Sequence, residues 1–216
     1  NNIISEASKN KEIRKDLINP YGLNPEGEKN GPDKRDLNTV IFDKKIKKWI
    51  APFLMAGINS KIVRRSNALS NYAYGKNFRY DEAVMTGKGF IGRMRGFLLS
   101  IPLIFLAAKP GSILKSIFNF LSPKPGQGPN QKEREAGYFN IRFYVFDESV
   151  TSMYKVTGDR DPGYGSTSKM LAESAVCLAK DSLKDSYGIL TPSIAMGDEI
   201  LKRLELNSGL KFSIIK

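Results

Sequence analysis

Between Tyr138 and Phe146 the chain alternates, with Phe139, Ile141, Phe143 and Val145 set against Tyr138, Asn140, Arg142 and Tyr144. A period of two is that of an extended strand with one apolar face. A four-residue turn, Asp147 to Val150, then leads into a second run at Ser152 to Thr157. So short a connection predicts an antiparallel hairpin. Thr39 to Phe42 and Phe78 to Met85 read as further strands, and Lys211 to Ile215 as a last strand closing the sheet. Helical spacing of Ile46, Trp49, Ile50 and Phe53 predicts a helix over Lys44 to Leu54, and a second helical pattern runs from Ile58 to Tyr72. Two more helices are expected at Ser166 to Lys180, after Asp-Pro-Gly, and at Ser193 to Leu206, after Leu-Thr-Pro. The expected class is α+β: a mostly antiparallel or mixed sheet flanked by helices, with an apolar helical hairpin inserted at about residues 88–122.

With 216 residues, 41% of them hydrophobic, the chain is large enough to bury a core. Its first part, residues 1–38, is rich in Asn, Lys, Glu, Gly and Pro and reads as an irregular connecting segment. Residues 39–216 read as one α+β domain. Thirty-four Lys and Arg against 22 Asp and Glu leave a formal charge of +12, which raises nucleic acid, an acidic substrate or an anionic membrane as partners. No nucleic-acid-binding module is recognisable. Histidine is absent, so Ser-His, Cys-His and His-metal chemistries are excluded within this chain, and no metal site is expected. The one cysteine, Cys177, sits among Ala and Leu in LAESAVCLAK and reads as a small core residue. Residues 1–10 are too polar for the apolar segment of a secretory signal, so an intracellular place is expected, cytoplasmic or peripheral to a membrane.

Three segments invite chemistry. Gly87-Lys-Gly-Phe-Ile-Gly92 spells the glycine spacing of a dinucleotide fingerprint after an expected strand. Such a site also needs a βαβ unit and an acid about 20 residues on, and no Asp or Glu occurs between Glu82 and Glu133. A flexible turn into a helix is the better reading. At Gly163-Tyr-Gly-Ser-Thr-Ser-Lys169 a glycine-bracketed turn feeds a helix, which gives either a plain cap or a cap that also meets a phosphate or cofactor. The third segment is the twelve-residue apolar run from Phe97 to Ala108. At about 1.5 Å per helical residue it is too short for a hydrocarbon core of roughly 30 Å. Past Lys109-Pro-Gly comes a second apolar helical pattern, from Ile113 to Leu121, and cations edge both. Phe97, Leu98, Ile104, Phe105, Ile117 and Phe118 are the residues expected to face a membrane. A buried helical hairpin, or the contact of a homodimer, is the competing account.

Several stretches, in this order, resemble the saccharopine dehydrogenase-like oxidoreductases, in particular their trans-acting enoyl reductase branch. They are Asn19-Pro-Tyr-Gly-Leu-Asn-Pro25, Trp49-Ile-Ala-Pro-Phe-Leu-Met-Ala56, the run from Ile58 to Leu69, and Tyr74-Gly-Lys-Asn-Phe-Arg-Tyr80. Gly126-Gln-Gly-Pro129, the run from Asp161 to Ala172, and Leu190-Thr-Pro-Ser-Ile-Ala-Met-Gly197 continue the likeness. The resemblance implies a parent polypeptide that is an NAD(P)-dependent oxidoreductase with a lipid-like substrate. It further implies that an upstream Rossmann domain, outside this chain, is the partner that holds the NAD or NADP, and that this chain by itself is inactive. Within the resemblance, Gly163, Tyr164 and Gly165 are expected to form a loop near the cofactor. Arg64, Arg65, Asn67, Tyr72, Arg79 and Tyr80 are candidates for the substrate side, with a solvated helix face and structural tyrosines as the plain alternatives. No catalytic acid is assigned. A non-enzymatic peripheral membrane or scaffolding protein of the same fold is the alternative function.

Overall fold

A computed structural model describes residues 10–107, 112, 113, 116, 120, 127–147 and 151–215. It divides the chain into two units, Asn1–Ser122 and Pro123–Lys216. The expected class holds: the described residues form helices and two three-stranded sheets, both antiparallel, where the sequence suggested one.

In the first unit, helix α1 (Lys11–Ile18) starts at Asn10, whose Oδ1 accepts from the amides of Glu12 (2.8 Å) and Ile13 (3.4 Å). Strands β1 (Ile41–Asp43), β2 (Lys48–Pro52) and β3 (Ala83–Gly87) lie in that order in the sheet. Helix α2 (Ala56–Leu69) falls between β2 and β3, and α3 (Gly89–Ala107) follows β3.

The helix expected over Lys44 to Leu54 is therefore a turn and a strand. Two local causes operate. The Asp43 carboxylate accepts from the amides of Lys45 (2.8 Å) and Ile46 (3.1 Å), and Lys47 takes a left-handed conformation (φ 53°), so the chain reverses instead of winding on. Trp49 and Ile50, good strand formers, then pair on both sides, with Phe42 and Ile41 across one edge and with Gly87 and Met85 across the other.

Helix α3 covers the stretch expected as the first arm of the hairpin and runs on through Pro102 rather than stopping there, while most of the expected second arm lies outside the described residues, so the hairpin itself is not shown. It rests on β2 and β3 through glycine. A Cβ on Gly92 would lie 2.6 Å from the Gly87 carbonyl carbon, and one on Gly96 would lie 2.7 Å from Val40 Cγ1. With so narrow a stripe against the sheet, Phe97, Leu98 and Ile104 are exposed and Phe105 is half-buried. Ile117 and Phe118 lie outside the described residues.

In the second unit, α4 (Gln131–Ala136) opens with a reciprocal cap: Asn130 Oδ1 accepts from the Glu133 amide, and the Glu133 carboxylate accepts from the Asn130 amide, each at 2.9 Å. The predicted hairpin forms as β4 (Phe139–Phe146) and β5 (Thr151–Gly158), in step from Phe139 opposite Gly158 to Phe146 opposite Thr151. Strand β6 (Leu210–Ile214) joins β5. This register sets Ile141, Val156 and Phe212 in one cross-strand row and Phe143, Tyr154 and Ile214 in the next, on a single apolar face. Helices α5 (Gly165–Lys180) and α6 (Pro192–Asn207) pack together around Cys177, Met196 and Ile200, flanked by Leu183, Ala195 and Leu204. The Cys177 side chain is fully buried, and burial pushes its thiol up, as suits a core residue.

Candidate functional site

The buried face of α2 carries Ala56, Ser60, Arg64, Asn67 and Ala68, at spacings of three and four. Small residues leave room there for one large cation. Arg64 is 3% exposed. Its Nε donates to Asp33 Oδ2 at 2.6 Å, and Nη2 donates to the Tyr80 carbonyl at 2.7 Å. From Nη1, contacts of 3.2 Å reach the Pro20 carbonyl and Ser60 Oγ, and the guanidinium lies 5.5 Å from the Tyr21 ring centre. Asp36 stands 3.8 Å away, close enough to Ser60 Oγ (3.0 Å) to share the network.

So Arg64 is turned toward its own chain. It ties the irregular stretch from Pro20 to Asp36 and the backbone at Tyr80 onto one helix. Arg65 reaches the Leu23 carbonyl in the same way. Asn67 spans a neighbouring turn, accepting from the Tyr74 amide (2.9 Å) and donating to the Gly75 carbonyl (3.0 Å). That turn includes Asn71 and Tyr72, both left-handed, with φ of 55° and 58°.

The tyrosines end at acids. Tyr72 donates to Glu28 at 2.8 Å, with Lys76 Nζ 5.8 Å from its ring centre; Glu28, Asn30, Tyr72 and Lys76 line an open cleft of about 310 Å³. Tyr80 donates to Glu82 Oε1 at 2.8 Å, while Glu82 Oε2 accepts from Asn59 at 3.0 Å. Burial first, and then Glu82, push the Tyr80 phenol well above its ordinary range, so it stays a proton donor. Arg79 is exposed. Arg64, Tyr72 and Tyr80 thus meet partners on the same unit, and those partners, Glu28, Asp33, Asp36 and Glu82, were not picked out from the sequence. The available signal was indirect: an arginine on a helix face of small residues needs a carboxylate from somewhere.

In the second unit, the loop at Gly163–Gly165 is organised by Asp161. Its carboxylate accepts from the amides of Gly163 (2.9 Å), Tyr164 (3.1 Å) and Gly165 (2.5 Å), and these bonds, that of Gly165 foremost, hold its pKa below the usual carboxylate range. The anion at the start of α5 is therefore supplied by the loop itself. An incoming phosphate meets those amides only by displacing Asp161. The Tyr164 ring lies against Gly128, where a Cβ would come within 3.0 Å of Cζ. This brings Gly128 and Tyr164, from two of the sequence stretches quoted above, side by side.

A protein of Mycobacterium tuberculosis named as a trans-acting enoyl reductase is 33% identical over 221 residues, which take in 94% of this chain and 51% of the relative. The chain is similar to trans-acting enoyl reductases. Those of Mycobacterium ulcerans and Mycobacterium bovis are 36% and 35% identical, each across 72% of this chain and 39% of the relative. The chain spans about half the length of the curated relatives it matches. No family model matches it, and no solved structure matches it.

The name these relatives carry raises the question of a dinucleotide, and the two glycine-rich loops of this chain do not match the pattern of a dinucleotide site. The fingerprint-like Gly87–Gly92 does end a strand and open a helix, with Gly87 at φ 116° and Gly89 at φ 61°. But β3 is antiparallel to β2 and lies at the sheet edge, and among the described residues no parallel strand follows α3 to complete a crossover. The Gly87–Gly92 turn lacks the parallel crossover of a pyrophosphate site, and the Gly163–Gly165 amides are already taken by Asp161.

Proposed function

We propose that this chain is the substrate-side part of an NAD(P)-dependent enoyl reductase that works on a lipid-like substrate at a membrane surface. Similarity to trans-acting enoyl reductases along 94% of the chain, but along 51% of the relative, carries the reading. In the proposed division of labour, a Rossmann domain in the rest of the parent polypeptide holds the NAD or NADP, and these residues shape the side on which the substrate lies. The poor fit of Gly87–Gly92 and Gly163–Gly165 to a pyrophosphate supports that division. The exposed apolar length of α3 supports a lipid-like substrate and a membrane setting, since apolar surface of that extent marks an interaction site. No helix among the described residues is long and apolar enough to cross a membrane, so the proposed attachment is peripheral.

The chain joined to its upstream polypeptide is expected to oxidise NADH or NADPH in the presence of α,β-unsaturated acyl thioesters, followed as loss of nicotinamide absorbance. Coding sequence upstream of Asn1 without a glycine-rich strand–turn–helix would overturn the reading, as would an intact parent that oxidises neither cofactor.

A further inference from the structure

One edge of the first sheet gathers charge from two places in the sequence. Asp43 pairs with Lys48 at the end of the β1–β2 ladder, so residues 44–47 form the turn beyond it. Trp49 pairs with Gly87, so β3 finishes at the same edge and delivers Lys88 and the first turn of α3 there. Lys44, Lys45, Lys47, Lys48 and Lys88 thereby share one corner, and all but the half-buried Lys48 are exposed. The acid among them, Asp43, is spent on the amides of Lys45 and Ile46. Going on from β3, the sequence has no acidic residue until Glu133.

The same corner presents large apolar side chains to water. Phe90 is 75% exposed and Ile91 66%. The left-handed glycines and the close seat of Gly92 on Gly87 press the start of α3 against the strand end, which leaves these two side chains outside. Behind them the Arg93 guanidinium lies 5.4 Å from the Trp49 ring centre and 5.7 Å from that of Phe97.

Cations beside exposed apolar side chains at the start of a helix match an interface with phosphate above and hydrocarbon below. A polyanion in water would use the lysines and leave Phe90 and Ile91 with nothing to bury them. We propose that this corner docks the protein on an anionic phospholipid surface, with the lysines at the headgroup phosphates and Phe90 and Ile91 in the acyl boundary. The assignment rests on the membrane-surface part of the function proposed above and names the residues that make the contact.

The test is cosedimentation of the chain with vesicles of phosphatidylcholine and of equal parts phosphatidylcholine and phosphatidylglycerol, read together with the emission of Trp49, the only tryptophan. Expected are binding to the anionic vesicles, a blue shift of Trp49, and loss of both as salt rises. Each lysine removed should weaken partitioning about five-fold, so Lys44→Gln, Lys47→Gln and Lys88→Gln together lower it roughly a hundred-fold. Phe90→Ser with Ile91→Ser should keep low-salt binding and lose the blue shift. Unchanged circular dichroism in these surface variants shows that each is folded. If the wild-type chain binds anionic vesicles and both variants bind as well as it does, the corner is the wrong surface and the membrane reading stands. If the wild-type chain binds neither vesicle, the membrane reading falls with the corner, while cofactor oxidation by the parent still decides the reductase reading. Equal binding to both vesicle types, or tighter binding to a DNA duplex than to anionic vesicles, also overturns the assignment.

Discussion

Two arginines, one in each unit, hold helices to their surroundings by the same chemistry at different depths. Arg64 in the first unit has a side chain 2% exposed and meets Asp33, 7% exposed, at 2.6 Å. In the second, Arg203 on α6 has a side chain 23% exposed. It grips Asp181 with two bonds, of 2.6 and 2.5 Å, and Glu173 with a third, of 3.2 Å, across the seam to α5. The first arginine stands where a hydrophobic side chain ordinarily would, among Ser60, Asn67 and backbone carbonyls; the second reinforces an apolar seam that Cys177, Met196 and Ile200 already close. A charge buried with its partner organises a region that has little else to hold it, whereas a charge near water adds to one that is already packed.

The largest expected effect therefore lies at Arg64. Arg64→Met leaves the Asp33 carboxylate buried without its cation and should cost about 3–5 kcal/mol. Trp49 reports on the first unit, so the loss should appear as an earlier urea transition of its fluorescence. An unchanged midpoint would mean that the first unit does not depend on this ion pair.

A smaller loss is expected where glycine seats α3. Gly92→Ala drives a methyl toward the Gly87 backbone, 2.6 Å away, and should cost about 1–3 kcal/mol, again read by Trp49. Should Gly92→Ala leave the midpoint unmoved, α3 is seated on the sheet by something other than glycine.

Arg203→Met should move stability least, because its partners stay within reach of water. The sole cysteine provides the probe: buried Cys177 should react with a thiol reagent sooner in the variant than in the wild type. Acid sharpens the same contrast. The Arg203 guanidinium is the main cause that holds the Asp181 carboxyl down at about 2, below its unfolded value of about 4. The stability this contributes is fully present above about pH 4 and is lost as pH falls toward 2. Wild-type protection of Cys177 should therefore weaken across that window, while the Arg203→Met variant changes less; identical profiles would sever Asp181 from Arg203.

How far the sequence could be read follows from what each pattern depends on. The β4–β5 hairpin and helices α5 and α6 came out within a residue or so of expectation, because strict alternation and the Pro-led starts are local signals. The Lys44 to Leu54 helix did not, since Ile46, Trp49, Ile50 and Phe53 satisfy a helical period as well as a turn and strand. Pairing with β1 and β3 decided between them. Arg64 and Asn67 were legible as candidates but not their settings: Asp33 is 31 residues from Arg64, and no local period links the two. The division of the chain between residues 122 and 123 likewise had no counterpart in the sequence reading.

By itself, the sequence determined the α+β class, the excess of cations, the exclusion of histidine chemistry and the likeness to enoyl reductases, all of which reside in composition, local period or ordered short stretches. Tertiary structure decided which carboxylate meets Arg64, that Asp161 caps its own loop, and that five lysines from two segments meet Phe90 and Ile91 at one sheet edge. Such meetings depend on strand register and helix placement, which distant parts of the chain settle jointly.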